Sequence, residues 1–220
     1  MIRLCWRHMQ VLDARLPADC LGRGEHKRLV MPRRHQYAWL QHLFPEQMSS
    51  GKAAWQMWLE TDTASVQAGS TMFVQSVASM LHRRGVMANL SLRENLLLHF
   101  LYHGDQQALM QAEQDLPEVA AFLGIADALD EQAGERSPYT HGIVSLGRCL
   151  LQKPDIIVAQ DVHSGMPPHR LQRFCAMFGE ALSRLQAGLL YLSTSVYDGS
   201  GVDFEHSLEL DIGIADGGRL

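Results

Sequence analysis

The chain has 220 residues, of which 46% are hydrophobic and 20% charged, and its formal net charge is −5. This composition is typical of one folded globular domain and excludes a disordered chain. The negative charge argues against a general nucleic-acid binder. No apolar run reaches the ~18–20 residues that a membrane-spanning helix needs, and the start, MIRLCWRHMQ, lacks the apolar core of a signal peptide.

The first element with a clear pattern lies at residues 24–44, GEHKRLVMPRRHQYAWLQHLF. The pattern predicts an apolar strand that ends at residues 29–30, then a tight loop, then a helix that carries Leu40 and Leu43. The loop holds three basic residues, Arg33, Arg34 and His35. They are either a solvated loop or, because a helix N-terminus follows them, an anion site.

Three short apolar runs further along predict buried strands, at residues 77–81, 156–159 and 189–193. Segments of helical or loop composition separate them. Short buried strands that alternate with helices are typical of an α/β fold with a parallel sheet. The final IADGGRL, residues 214–220, predicts a last strand and a hairpin turn.

The middle of the chain, about 90–152, has no strand signal and predicts helices. Ser91 is a helix N-cap with Glu94 three residues later, which is the capping-box pattern, and this helix extends to Tyr102. Residues 105–114 and 117–130 continue in helical composition. We therefore expect one domain, residues 1–220, with an α/β core at about 1–84 and 142–220 and a helical subdomain at about 85–141.

The cysteines and histidines show no ligand spacing. Cys5, Cys20, Cys149 and Cys175 form no CxxC pair, and the eleven histidines form no HExxH pattern. We therefore interpret the cysteines as reduced packing residues of a cytosolic protein, and we predict no metal site.

Three stretches together resemble the nucleotide-binding subunit of ABC transporters. GVMANLSLRENLLLHFLYHG, residues 85–104, is similar to the segment after the Q-loop, especially in ATPases of MCE-type phospholipid transport. GRCLLQKPDIIVAQDVHSGM, residues 147–166, is similar to the helix, Walker B strand and D-loop. LLYLSTS, residues 189–195, is similar to the strand that ends in the switch histidine. The alternative is an ordinary α/β protein, but the order and spacing of the stretches favour the resemblance.

The resemblance covers nearly the whole chain and implies a P-loop NTPase-like fold with a parallel or mixed sheet and an inserted helical subdomain. It places the phosphate-binding motif GxxxxGK[ST] on residues 31–38. The two glycines, the lysine and the hydroxyl residue of that motif are replaced by Met31, Gln36, Tyr37 and Ala38. A second P-loop-like string at residues 49–52 is rejected, because Glu46 would repel phosphate at the first glycine position and Ala53 would take the magnesium position.

The other family positions are also changed. The Q-loop glutamine, the Walker B aspartate, the catalytic glutamate and the switch histidine fall on His82, Gln160, Asp161 and Ser195. The signature LSGGQ falls on residues 136–140, where Ser137 is retained. His82 is either a loop residue or a ligand, and Asp161 is either a strand-end cap or a functional carboxylate. Trp6 is the nearest candidate for an aromatic that stacks on adenine.

Some positions imply contact with partners rather than with nucleotide. Ser164 and Gly165 keep the D-loop, and the family works as a head-to-tail dimer. The helix from Ser91 is apolar, and its Leu97, Phe100 and Leu101 form either core packing or, as the resemblance implies, a groove for a helix of a membrane subunit.

These losses indicate a catalytically degenerate ABC transporter subunit that acts as a structural or regulatory partner of a membrane permease, an active ATPase or both. The resemblance of residues 85–104 implies that the transported cargo is lipid. The subunit would form a homo- or hetero-oligomer in the cytoplasm, peripheral to the inner face of the cell membrane, and we expect no cofactor. One alternative is a divergent ATPase that binds ATP and Mg²⁺ and still hydrolyses the nucleotide. Another is a free-standing cytosolic interaction module.

Overall fold

The computed structural model describes residues 1–43, 45, 55–81, 86–103, 105–134, 137–196 and 201–212. The predictions for His82, for the string at 49–52 and for the hairpin at 214–220 lie outside these residues. In chain order the strands are β1 Arg3–Trp6, β2 Met9–Val11, β3 Ala14–Leu16, β4 Asp19–Gly22, β5 His26–Val30, β6 Met57–Glu60, β7 Ser65–Gln67, β8 Val77–Leu81, β9 Ile156–Gln160, β10 Gly188–Ser193, β11 His206–Glu209 and β12 Asp211–Ile212. The helices are α1 Arg33–Leu40, α2 Thr71–Ser76, α3 Leu92–His103, α4 Gln106–Leu123, α5 Pro138–Gln152 and α6 Pro168–Leu185.

A five-stranded parallel sheet forms the centre of the molecule, in the order β11-β5-β10-β9-β8. Every residue of β9 and β10 is buried, as expected of strands that are covered on both faces. The three predicted strands are confirmed. The carboxyl ends of the strands are aligned, because Leu192 pairs with both Leu29 and Gln160, and Gln160 pairs with Leu81.

Two antiparallel sheets accompany the parallel one. The first has the order β4-β1-β6-β7, and the second has the order β12-β3-β2. Their apolar side chains share one core with α1 and with one face of the parallel sheet. Trp6 belongs to this core: it is buried, its Nε1 donates to the carbonyl of Pro17 at 3.0 Å, and its ring meets Trp39 edge-on. The prediction that Trp6 stacks on adenine is therefore wrong.

The predicted helical segment consists of helices, as expected. The capping box is confirmed, because the amide of Ser91 donates to the Glu94 carboxylate at 2.7 Å and the amide of Glu94 donates to the Ser91 hydroxyl at 3.1 Å. Gln106–Leu123 is one helix that continues through Pro117, where segments 105–114 and 117–130 were predicted, and it ends at the left-handed Gly124. Pro117 is exposed, so water can reach the carbonyl that loses its N–H donor. The helix α5 crosses the subdomain boundary predicted at residue 141.

The cysteine interpretation is wrong for one pair. Cys5 and Cys20 are directly opposite each other on β1 and β4, and they form a disulfide. The sequence separation of 15 residues hid this pairing, which depends on the strand register. Cys149 and Cys175 lie outside this disulfide, and complete burial raises the pKa of the Cys149 thiol to about 12.

Candidate functional site

The segment that aligns with the phosphate-binding motif is a helix rather than a loop. Strand β5 ends at Val30, and α1 starts at Arg33 after only Met31 and Pro32. The predicted tight loop is therefore wrong, and residues 33–38 form helical turns. Pro32 is the N-cap, with its φ of −58° preset by the ring, and the following residues to Leu40 contain no glycine that could take up the unusual dihedrals of a phosphate loop.

Two glutamines connect α1 to the end of β9. The side-chain Nε2 of Gln36 donates to the carbonyl of Met31 at 3.0 Å, and the Nε2 of Gln160 donates to the Oε1 of Gln36 at 2.8 Å. The carbonyl of Met31 can only accept, so it fixes the orientation of both amides in turn. All three residues are buried. Gln36 and Gln160 thus form a structural link at the positions that the sequence resemblance assigns to a phosphate-loop glycine and to the Walker B aspartate.

The Oε1 atom of Gln160 is buried and has no hydrogen-bond partner among the described residues. Met31 packs its side chain into the core, and its backbone amide donates to the carbonyl of Ser193 at 2.9 Å. Met31, which the sequence resemblance assigns to the first glycine of the phosphate-binding motif, is therefore part of the hydrophobic core.

Arg33, in the first turn of α1, reaches across the edge of the sheet to two residues after β9. Its Nε lies 3.3 Å from the Oδ2 of Asp161, and its Nη2 donates to the hydroxyl of Ser164 at 3.2 Å. Asp161 is buried and has a φ of 42°, a left-handed conformation that aspartate tolerates better than most residues. Its amide donates to the carbonyl of Leu192 at 3.2 Å. The Asp161 carboxylate, which the sequence resemblance assigns to the catalytic-glutamate position, thus has a guanidinium partner from the same chain.

The other two basic residues of the triplet also have carboxylate partners. Arg34 donates to the Oδ2 of Asp13 at 2.8 Å, and the Nε2 of the buried His35 lies 2.6 Å from the Oδ1 of Asp13. The hydrogen bond with His35, together with the Arg34 charge, holds the pKa of Asp13 below its ordinary value. The sequence offered a solvated basic loop or an anion site. The structure instead places all three residues on α1, each beside a carboxylate.

The remaining family positions lie in separate environments. Tyr37 is exposed, and Ala38 packs at the edge of the core. Ser195 follows β10, where its amide donates to the Ser193 hydroxyl and its carbonyl accepts from the same hydroxyl. Ser137 is the N-cap of α5 and accepts from the amide of Thr140 at 3.4 Å. Gly165 is exposed with a φ of 81°.

The residues predicted to face a partner differ in exposure. Leu97 and Phe100 are buried in the core of the helical subdomain, whereas Leu101 is exposed. A cavity of about 470 Å³ lies beside the same helix, between α3, α5 and the start of β8. Its lining, which we call the α3 groove, is Val74, Val77, Ala78, Ser79, Met87, Leu98, His99, Tyr102, His103, Arg148, Cys149 and Gln152. The sequence analysis did not identify Leu98 and Tyr102 as groove-lining residues. Helix α3 is apolar on nearly every side, so its sequence does not show which face is buried.

The α3 groove contains one strongly shifted histidine. Burial lowers the pKa of His99 to about 4, and the neighbouring His103 and Arg148 contribute in the same direction. His99 is therefore neutral at neutral pH, and the groove presents a mainly apolar lining that includes the Arg148 guanidinium, which donates to the backbone carbonyl and the side-chain oxygen of Asn95.

The folded chain is similar to solved ATP-binding cassettes. It matches the ADP conformation of an ATP-binding cassette of an ABC transporter with a TM-score of 0.66 and 13% identity over 90% of this chain and 82% of that one. It matches a nucleotide-free ATP-binding cassette from an ABC transporter with a TM-score of 0.69 and 12% identity over 95% and 87% of the two chains. A third match, an ATP-binding subunit of an ABC transporter, has a TM-score of 0.66 and 14% identity over 88% and 79%.

Neither a protein-family model nor a curated protein matches the sequence. Among the described residues, no helix has both the length and the apolar character that a membrane crossing requires. The structural matches have low identity, so they establish architecture. The chain has the α/β fold of ABC-transporter ATP-binding cassettes.

Proposed function

We propose that this chain is an ABC-cassette subunit that has lost nucleotide chemistry and acts as a structural or regulatory partner of a membrane permease, an active ATPase or both. The observation that supports this most directly is the helix α1, which follows β5 after two intervening residues. It occupies the stretch that the sequence resemblance assigns to the phosphate loop. A phosphate loop binds through backbone N–H groups that converge on the phosphates. In α1 the amides of His35 and Gln36 are instead bonded to the carbonyl of Pro32.

The side chains at this edge of the sheet do not fit magnesium nucleotide. The lysine and hydroxyl positions hold Tyr37 and Ala38, and the Walker B position holds the neutral amide of Gln160. Asp161 could supply an oxygen ligand, but its carboxylate already pairs with the Arg33 guanidinium. Phosphoryl transfer depends on preorganised cations around the phosphates, so loss of these groups removes the main source of catalysis.

The α3 groove is the surface that we assign to the membrane partner. Tyr102, Leu98 and Met87 give it an apolar lining at the border between α3 and the α/β core. A partner helix with an apolar face could bury these side chains, which is a common mode of helix recognition. The choice of phospholipid as transported cargo and the position at the inner face of the membrane rest on the resemblance of residues 85–104 to ATPases of MCE-type systems.

A second candidate is a divergent ATPase. Ser137 is an N-cap at the start of α5, as the position of a signature serine requires, and Asp161 keeps a carboxylate at the end of β9. This candidate needs magnesium-dependent binding of ATP. A free-standing interaction module is distinguished from the first proposal by its absence from membranes that carry the permease.

Replacement of Asp161 by Asn separates the first two candidates. Asn tolerates the left-handed conformation at this position, so the backbone is preserved while the negative charge is lost. A subunit without hydrolysis keeps its function in a complementation assay, because no water has to be activated. If function is lost while the Asp161→Asn protein remains folded, the ATPase candidate replaces this proposal.

The docking proposal is tested on membranes from cells that contain the natural permease. Tyr102→Asp places a charge in the α3 groove, and Met110→Asp places the same charge on α4, outside the groove lining. Both residues are exposed, so neither variant should unfold. We expect the amount of membrane-bound protein to fall at least tenfold for Tyr102→Asp and to stay unchanged for Met110→Asp. Equal retention of both variants would exclude the groove as the contact surface.

A further inference from the structure

A cluster of possible metal ligands lies on the antiparallel sheet β4-β1-β6, separate from the residues described above. It consists of Cys20 on β4, Cys5 on β1 and Glu60 on β6, three neighbouring strands. Their ligand atoms all lie within 4.8 Å of one another, and the Sγ of Cys5 is 3.6 Å from the Oε2 of Glu60. Within the disulfide this sulfur has no hydrogen to donate, whereas a thiol at the same place could donate to the carboxylate.

Strand alternation places the cluster on the sheet face opposite the core. Leu4 and Trp6 flank Cys5 in sequence and pack into the core, so Cys5 points to the other face. Glu60 is exposed and Cys20 is half-buried, so solvent, a reductant or an ion can approach from this side. Cys5 itself is fully buried. The three ligands are therefore shielded from solvent at Cys5 and accessible to solvent at Glu60.

We propose that the Cys5–Cys20 pair is a redox-gated site for a thiophilic divalent cation of the Zn²⁺ type. In the oxidised chain both sulfurs are held in the disulfide and cannot supply thiolates. A dithiol reductant donates two electrons and two protons, is itself oxidised to a disulfide, and leaves two thiols on Cys5 and Cys20. The cation then displaces those two protons and binds both thiolates, with the Glu60 carboxylate as third ligand and water as fourth.

The ligand chemistry selects the metal. Two thiolates and one carboxylate suit Zn²⁺, whereas Mg²⁺ and Ca²⁺ prefer sites made entirely of oxygen. With Zn–S bonds of about 2.3 Å in tetrahedral geometry, the two sulfurs need a separation of about 3.8 Å. The Cα atoms of Cys5 and Cys20 are 4.1 Å apart, so rotation of the two side chains is enough to reach this sulfur separation.

The surrounding charges are compatible with this site. Two thiolates, one carboxylate and one divalent cation sum to a single negative charge. Arg3 is the cross-strand partner of Glu60 and lies two residues before Cys5 on the same strand face, where its guanidinium can balance that charge. In either redox state β1 and β4 would remain tied together, by a disulfide or by a metal.

The test uses the full chain with Co²⁺ as a spectroscopic probe and Zn²⁺ in competition with a chromophoric chelator. After anaerobic reduction and removal of the reductant, we expect one Co²⁺ per chain with thiolate-to-metal charge-transfer absorption, displaced by one Zn²⁺. The untreated, oxidised chain should show no such band. Glu60→Gln should weaken Zn²⁺ binding at least tenfold, Cys20→Ser should abolish the band, and Cys175→Ser should leave both unchanged.

Glu60 is exposed, so the Glu60→Gln variant tests the site without a risk to folding. The proposal is overturned if the reduced chain binds no Zn²⁺ at micromolar concentration. It is equally overturned if Cys20→Ser and the parent chain bind the metal alike, which would place the binding on other residues.

Discussion

The link between Gln36 and Gln160 makes an asymmetric prediction for two methionine substitutions. Methionine is close to glutamine in size and shape, so the substitutions remove polar atoms with little change in volume. Gln36→Met leaves the Met31 carbonyl and the Gln160 amide nitrogen buried without partners. Each such group costs roughly 1–3 kcal/mol, so for the two groups together we expect a loss of about 2–6 kcal/mol in the free energy of unfolding.

The reverse substitution should cost far less. Gln160→Met leaves the Oε1 of Gln36 without its donor, but it also removes the Gln160 Oε1, which is already buried without a protein partner. The two effects offset each other, so we expect a loss of about 0–1 kcal/mol. The double variant leaves the Met31 carbonyl without a partner, but it also removes the unpartnered Gln160 Oε1, so it should lose about 0–1 kcal/mol, less than Gln36→Met alone.

Urea unfolding of the parent chain, both single variants and the double variant measures this cycle, with constant m-values as the check on two-state behaviour. The decisive result is that the double variant has a higher free energy of unfolding than Gln36→Met alone. If the two single losses are equal and simply add in the double variant, the glutamines do not interact, and α1 is not anchored to β9 as described.

Three further predictions concern the scaffold. A Cβ on Gly188 would lie 2.2 Å from the carbonyl oxygen of Gly22, so Gly188→Ala should lower the unfolding free energy by about 2–4 kcal/mol. A Cβ on Gly179, which lies within α6, would meet no atom within 4 Å, so Gly179→Ala should raise the unfolding free energy by about 0.5–1 kcal/mol. Urea unfolding measures both changes. Ser91→Ala should cost about 1 kcal/mol by the same assay, and a loss below 0.3 kcal/mol would mean that the capping box is not stabilising. The folded pKa of His99, about 4, is below its ordinary 6.5, so the unfolded state binds the proton more readily and stability should fall as the pH drops from about 6.5 to about 4. His99→Gln should flatten this dependence, and an unchanged slope would contradict the assignment.

The parts of the fold that depend on local pattern could be predicted from the sequence. The strands at 77–81, 156–160 and 188–193 are continuous apolar runs because parallel strands are covered on both faces. The capping box was visible because its two residues lie three positions apart in the chain. Both signals are contained in a single short segment.

The parts that depend on long-range contact could not be predicted. Cys5 meets Cys20, and Arg33 meets Asp161, only through strand register and sheet order. Asn95 gives another example: its buried amide donates to the carbonyls of Met87, Leu90 and Ser91, and nothing in the helical pattern marks it. The helix at residues 33–40 did have a local signal, which is a proline followed by a run without glycine. The resemblance of residues 31–38 to a phosphate-binding motif nevertheless favoured a loop there.

The central proposal is that packing has replaced the nucleotide site, and calorimetric titration of ATP into the purified chain tests it most directly. The titration is run with and without magnesium, and repeated with Arg33→Ala to remove the guanidinium beside Asp161. We predict no saturable heat at millimolar nucleotide for either protein, because α1 itself fills the phosphate-loop segment. Magnesium-dependent binding at micromolar ATP would contradict the account and establish the divergent ATPase in its place.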